Sequence, residues 1–214
     1  IEGVVWSTPV FNERFQYFFE GLNIPCVVIN NCEKECDVAF IESDNISAAE
    51  QAVEYLVGLG HRKIGFIGGE LQLTNFQERF DGYLSGMEKA GIAVDEQWSV
   101  KDISLSDTEG GIQALHRLLA RKDIPSAVIA SCDPVAFGIY KAAKEMSLTI
   151  PDDLSVLSFD DSVIAQYVSP PLTTFRQQLD KIGATAVEKL LNILDGSNSQ
   201  KNSEKIQIPM NLIV

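Results

Sequence analysis

Short apolar runs alternate with longer amphipathic stretches along the whole chain. The runs are rich in β-branched residues and are apolar at consecutive positions, which is typical of strands that helices cover on both faces of a parallel sheet. We predict strands at residues 3–6, 26–30, 63–68, 126–131 and 154–159, with weaker candidates at 38–42, 99–103 and 204–209.

The stretches between these runs repeat apolar residues every three to four positions, as amphipathic helices do. In residues 46–59 the apolar stripe is closed by Gly60, a helix stop signal. Asp133 is the expected N-cap of another helix, with Pro134 at the first helical position. We predict helices at residues 46–59, 75–91, 107–121, 133–147 and 180–196, and a polar linker at 197–205.

This alternation predicts a doubly wound α/β fold with parallel sheets and right-handed crossovers. In such sheets ligands bind beyond the carboxyl ends of the strands. Asn30, Asp44, Asp133 and Asp160 all fall just after a predicted strand. Four short polar side chains at strand ends favour one shared site, although each residue could equally be a helix cap or a turn residue.

The chain is acidic, which changes the choice of partners. The 214 residues include 30 Asp and Glu but only 17 Lys and Arg, which gives a net charge of −13. Such a surface repels phosphate backbones, so these residues should not bind nucleic acid by themselves. No apolar run reaches the roughly 18 residues of a transmembrane helix, and the N-terminus lacks the pattern of a secretion signal.

Candidate catalytic and metal chemistry is sparse. The nucleophile elbow, the Walker loop and the His-Glu-x-x-His motif do not occur, so we predict no enzyme, no cofactor and no metal. Asp160 and Asp161 are adjacent and should point to opposite sides, unlike the paired acids of a glycosidase. The two histidines lie far from the cysteines, which we expect to be free thiols in a reducing cytosol: Cys26, Cys32, Cys36 and Cys132.

Four segments occur in order: "LGHRKIGFIGG", "ERFDGYLSGMEKAGI", "PSAVIASCDPVAFGIYKAAKEMSLTIPDDLSVLSFDD" and "SPPLTTFRQ". Together they resemble the effector-binding core of the lactose-repressor/galactose-repressor family of bacterial transcription regulators. "IPDDLSVLSFDD" followed by "PPLTTFRQ" is the most specific part. The resemblance implies a two-lobed type I periplasmic-binding-protein-like fold whose lobes close over a small ligand. It also implies a helix-turn-helix headpiece for operator DNA, which we expect to be absent here.

The resemblance implies where the lobes begin and end. The N-terminal lobe, which we expect to be incomplete in this chain, takes residues 1–43 and 173–203, and the C-terminal lobe takes 44–172 and 204–214. Three crossovers between them form a hinge around a ligand cleft. A homodimer is expected to form through helix 133–147 and the segment "QYVSPPLTT", with apolar contacts from Tyr140, Tyr167 and Leu172.

The resemblance also assigns ligand-binding residues. Arg79 should reach into the cleft, where its planar fork can donate two parallel hydrogen bonds, although it could also be a surface arginine. Asp160 should accept ligand hydroxyls, and Asp161 should cap the turn at 162–167. The other candidates are Asp44, Asn30, Cys132 in place of a common Asn, Asp133, Phe76, Leu105 in place of an aromatic residue, and Gln177.

We therefore predict the effector-binding core of a cytoplasmic, homodimeric transcription regulator. The expected effector is a sugar or a sugar phosphate, and it controls operator binding by the headpiece. A sugar-binding protein of a transport system is the alternative, because it shares the fold.

Overall fold

The computed structural model describes residues 1–7, 13–30, 38–68, 73–101, 107–121, 123–196 and 204–214. Strands and helices alternate along this part of the chain, as predicted. They are β1 (Val4–Ser7), α1 (Glu13–Gly21), β2 (Cys26–Ile29), β3 (Ala39–Ser43), α2 (Asn45–Gly58), β4 (Ile64–Ile67), α3 (Thr74–Lys89), β5 (Ser99–Val100), α4 (Thr108–Leu119), β6 (Ala127–Ala130), α5 (Asp133–Glu145), β7 (Ser155–Asp160), β8 (Thr173–Arg176), α6 (Leu179–Leu194), β9 (Lys205–Ile208) and β10 (Asn211–Ile213).

The chain forms two compact units. The first unit consists of Ile1–Asp44, Leu73–Asn75 and Gln178–Pro209, and the second of Asn45–Gln72, Phe76–Gln177 and Met210–Val214. The chain therefore passes from one unit to the other several times. None of the helices in the described part of the chain combines the length and the apolar character that crossing a membrane requires.

The second unit contains a six-stranded sheet in the order β10-β8-β7-β6-β4-β5. Its strands are parallel, except that β10 runs antiparallel to β8. Strands β4 and β6 are buried at every position, which explains their uninterrupted apolar sequences. Helices α2 and α3 cover one face with a core that includes Val53, Leu56, Tyr83 and Met87.

The first unit contains a four-stranded parallel sheet in the order β1-β2-β3-β9. Ile182 and Ala186 of α6 pack against Val27 and Ile41 in one apolar cluster. Phe19 of α1 packs against Val28 in a second cluster. Because successive residues of a strand point to opposite faces, Val27 and Val28 place the two helices on opposite sides of the sheet.

Strands β8 and β9 each lie in a different unit from the one that we predicted. β8, expected in the N-terminal lobe, pairs in parallel with β7 of the second unit. β9, expected in the C-terminal lobe, pairs in parallel with β3 of the first unit. Both are short strands near crossovers, and only hydrogen-bond pairing decides which sheet each one joins. Helix α1 was not predicted either.

Helices α4 and α5 pack backbone against backbone. A Cβ at Gly111 would lie 2.1 Å from the carbonyl oxygen of Val135, and one at Gly138 would lie 2.0 Å from that of Thr108. Only glycine therefore fits at these two positions. Because the contact lies in the first two turns of both helices, it fixes their N-terminal ends side by side near the ends of the strands.

Candidate ligand-binding site

Arg79 of α3 lies at the centre of a hydrogen-bond network in the second unit. Its side chain is only 2% exposed. Nε donates to Oδ1 of Asn45 at 3.0 Å, Nη1 to the carbonyl oxygen of Ser131 at 2.5 Å and Nη2 to Oδ1 of Asp160 at 3.2 Å. Arg79 is therefore not a surface arginine. It connects the start of α2, the end of β6 and the end of β7.

Two aromatic rings lie beside this guanidinium. Its carbon atom lies 4.7 Å from the ring centroid of Phe159 and 5.8 Å from that of Phe76. A cation over the face of an aromatic ring is attracted by the electrons of the ring. Phe76, a predicted ligand contact, is 7% exposed, so most of its ring is already buried.

Asp160 lies at the end of β7, and its two carboxylate oxygens have different surroundings. Oδ1 accepts from Arg79 and from Nε2 of Gln177, the latter at 2.7 Å. Within the described ranges no hydrogen bond to Oδ2 is found, and the side chain is 30% exposed. A carboxylate oxygen has two lone pairs, so Oδ2 can accept hydroxyl groups from a ligand.

The backbone after β7 is unusual. Asp160 has φ 115° and Asp161 has φ 51°, a region that residues other than glycine rarely adopt. The carboxylate of Asp161 pairs with Nε of Arg176, and its backbone N–H donates to Oγ1 of Thr174 at 3.3 Å. The prediction that Asp161 caps the following turn is therefore wrong, because Arg176 binds its carboxylate instead.

The carboxylate of Asp133 stabilises the segment that follows β7 through hydrogen bonds. Its carboxylate accepts from the backbone N–H of Ser162 at 2.7 Å and from the hydroxyl of Thr174 at 2.8 Å. It is not the N-cap predicted for α5, because Cys132 occupies that position and Asp133 is the first helical residue. The side chain is fully buried, which leaves no exposed surface for the predicted ligand contact. Burial also raises the pKa of this carboxyl above its usual value.

Cys132 lies between Ser131, which binds Arg79, and Asp133. It is 4% exposed, and burial raises the pKa of its thiol to about 11. The nearby charge of Asp160 contributes in the same direction, while Arg79 acts against it. Cys132 therefore carries a proton at neutral pH. The described ranges contain no group of three or more His, Cys, Asp or Glu side chains that could hold a metal ion.

Two predicted residues belong to the first unit. Asn30 follows β2 with φ 62°, and its backbone N–H donates to the carbonyl oxygen of Ile41 at 2.8 Å. Asp44 follows β3, and its backbone N–H donates to the carbonyl oxygen of Ile208 at 2.8 Å. The structure thus places both at strand ends. Leu105 lies outside the described residues.

Sequence reasoning missed Asn45 and Glu78. Asn45 is 2% exposed, accepts from Arg79 and donates through Nδ2 to Oε2 of Glu78 at 3.1 Å. Both residues are polar and buried, and both belong to the network around Arg79. The only sequence signal for Asn45 was its position directly after Asp44 at a strand end. The only sequence signal for Glu78 was its position directly before Arg79.

Comparison with known proteins identifies related chains. A family model of the periplasmic binding protein-like domain matches residues 53–214. The Bacillus subtilis protein named "Probable HTH-type transcriptional repressor ExuR" is 34% identical over 95% of this chain and 60% of its own length. The "Ribose operon repressor" of Haemophilus influenzae is 36% identical over 87% of this chain and 56% of its own length. The chain thus spans less than two thirds of these relatives.

A solved structure shares the architecture. The crystal structure of a regulatory protein of the LacI family from Chloroflexus aggregans superposes with a TM-score of 0.91 at 29% identity. It covers 100% of this chain, which in turn covers 75% of that protein.

Proposed function

This chain belongs to the periplasmic binding protein-like domain family, in the form found in lactose-repressor/galactose-repressor regulators, and we propose that it binds an effector that controls operator binding. The observation that carries the proposal is the Arg79–Asp160–Gln177 network, in which both hydrogen bonds go to Oδ1 of a carboxylate whose side chain is 30% exposed. The relatives are transcriptional repressors, so the chain is the core of a regulator and is not an enzyme or a transport-system binding protein.

The surroundings of Asp160 favour a hydroxyl-bearing effector at this point. The charge of Arg79 is already compensated by Asp160, and the guanidinium donates to three protein oxygens. A phosphate or carboxylate placed at Oδ2 would meet another negative charge, whereas a sugar hydroxyl would donate to it. We therefore propose a sugar whose hydroxyl binds Asp160. Any phosphate that it carried would have to bind elsewhere.

A calorimetric titration tests this proposal after a thermal-shift screen of neutral sugars, sugar phosphates and nucleobases, with D-ribose included because one relative is a ribose operon repressor. Asp160→Asn keeps an oxygen for Arg79 and tolerates the positive φ, but it loses the charge. Loss of a charge-assisted hydrogen bond costs about 1.5–3 kcal/mol, so the sugar found in the screen should bind roughly 10-fold to 100-fold more weakly.

Asp152→Asn is the matched control, because Asp152 is an exposed carboxylate in the same unit. It should bind the sugar like the unmodified protein. Equal affinities for both variants would contradict the role of Asp160. A screen in which only nucleobases stabilise the protein would reject the sugar and keep the regulator.

Operator DNA is proposed to bind through a helix-turn-helix headpiece that lies outside these 214 residues. The net charge of −13 supports this division, since an acidic surface repels the phosphate backbone. We propose that the whole regulator acts in the cytoplasm. A mobility-shift assay in which these 214 residues alone bound duplex DNA at physiological salt would contradict the assignment.

We propose a homodimer through the turn between β7 and β8. Val163 and Tyr167 are each 75% exposed there and Ile164 is 57% exposed, which makes an unusual apolar surface. Two other residues that we predicted for this contact are less exposed than Val163 and Tyr167. Leu172 is 3% exposed and packs inside its own unit, and Tyr140 is partly buried, which raises its pKa to about 12.

A further inference from the structure

Two buried side chains bind the backbone that follows Asp160. The N–H groups of Asp161 and Ser162 donate to Oγ1 of Thr174 and to Oδ2 of Asp133, at 3.3 and 2.7 Å. Thr174 in turn donates its hydroxyl proton to Oδ1 of Asp133 at 2.8 Å. A hydroxyl has one proton, so this bond leaves its lone pairs to accept from Asp161.

The local backbone needs such support. Asp160 and Asp161 are consecutive non-glycine residues at φ 115° and 51°. Conformations of this kind persist only where the surrounding structure imposes them. Thr174 is held by the pairing of β8 with β7, in register with Ser158, and Asp133 is held at the first position of α5. The two supports thus come from different elements.

We infer that Asp133 and Thr174 are positioning residues, which hold the backbone of Asp160 so that Oδ1 faces Arg79 and Gln177 and Oδ2 remains available to accept from a ligand. This inference rests on the proposed function only in taking Asp160 as the ligand acceptor. Neither residue touches the ligand, because both side chains are fully buried.

The chemistry of Asp133 supports this role. A fully buried carboxylate is unfavourable unless it is hydrogen-bonded, and burial raises its pKa. Its hydrogen-bond partners are neutral donors, namely the backbone N–H of Ser162 and the hydroxyl of Thr174. An apolar residue would fill the same space without this cost, but it could not accept from the backbone after Asp160.

Thr174→Val tests the inference, because it keeps the branched shape and removes the hydroxyl. Hydrogen exchange followed by NMR should show the amide of Asp161 exchanging at least about 100-fold faster, since its acceptor is lost. The side-chain amide resonance of Gln177 should move as its bond to Asp160 loosens. A crystal structure should show Asp160 leaving its positive φ. Asp133→Asn, which replaces an acceptor by a donor, should change the same signals.

Two controls separate positioning from general stability. Thr173→Val makes the same change one residue earlier in β8, where the side chain points to the other face, and should leave all three signals unchanged. Thr174→Ser restores the hydroxyl and should restore them. The inference is overturned if Thr174→Val and Asp133→Asn keep the Asp160 φ and the Gln177 resonance. No ligand is present in these measurements, so this failure is distinct from a failure of the titration of Asp160→Asn.

Discussion

At the scale of single residues, replacing Arg79 affects protein stability more than replacing Asp160 does. Removing the Arg79 guanidinium would leave two buried acceptors, on Asn45 and Ser131, without this donor. Each buried acceptor left unpaired costs about 1–3 kcal/mol. Substitutions of Arg79 therefore change stability as well as binding. Asp160→Asn keeps the geometry and is the cleaner probe of the ligand.

The thiol of Cys132 predicts a dependence of stability on pH. Its pKa rises from 9.0 to about 11 on folding. The folded state holds the proton more tightly, so this contribution is fully present below pH 9 and is lost as the pH rises through about 11. Since one pKa unit corresponds to about 1.4 kcal/mol, the stability advantage over Cys132→Ala should shrink by about 2–3 kcal/mol across this range.

Urea unfolding at several pH values measures this difference. Val135→Ala, a buried truncation without a titratable group in α5, the helix that begins directly after Cys132, should differ from the unmodified protein by a constant amount. A parallel course for Cys132→Ala would show that the thiol ionises with its ordinary pKa.

At the scale of elements, the contact of α4 with α5 depends on glycine. A Cβ at Gly138 would lie 2.0 Å from the Thr108 carbonyl oxygen and 2.9 Å from Cα of Gly111, so the two backbones would have to separate. Overpacking of this kind costs typically about 1–3 kcal/mol, and the rigid neighbours here place Gly138→Ala at about 3 kcal/mol or more. The free energy of unfolding from urea denaturation measures it.

Gly183 offers the opposite case for the same substitution. It lies inside α6, and a Cβ there would meet no atom within 4 Å. Gly183→Ala should therefore stabilise the protein by about 0.5–1 kcal/mol, because alanine loses less backbone entropy in a helix. Destabilisation of similar size by both substitutions would show that helix packing does not distinguish the two sites.

At the scale of the whole molecule, the apolar turn between β7 and β8 predicts self-association. Tyr167→Asp places a charge in this surface and should convert the dimer into a monomer in light scattering at micromolar concentration. Tyr17→Asp is the control, because Tyr17 is 66% exposed on α1 of the first unit. A monomeric unmodified protein at about 0.15 M ionic strength, where charges are screened beyond about 8 Å, would contradict the dimer.

The sequence by itself determined the α/β class, because strands buried on both faces must be apolar throughout, as β4 and β6 are. It also indicated Arg79 and Asp160, through the family segments that contain them. The tertiary structure decided the partners of β8 and β9, since a short strand near a crossover does not encode which sheet it joins. It also decided that Asn45 and Glu78 meet Arg79 and that Asp133 is buried beneath the site. Asn45 and Glu78 lie 33 residues apart, and Arg79 and Asp160 lie 81 apart. Hydrogen bonds over such separations depend on how the elements pack. Local sequence patterns do not determine this packing.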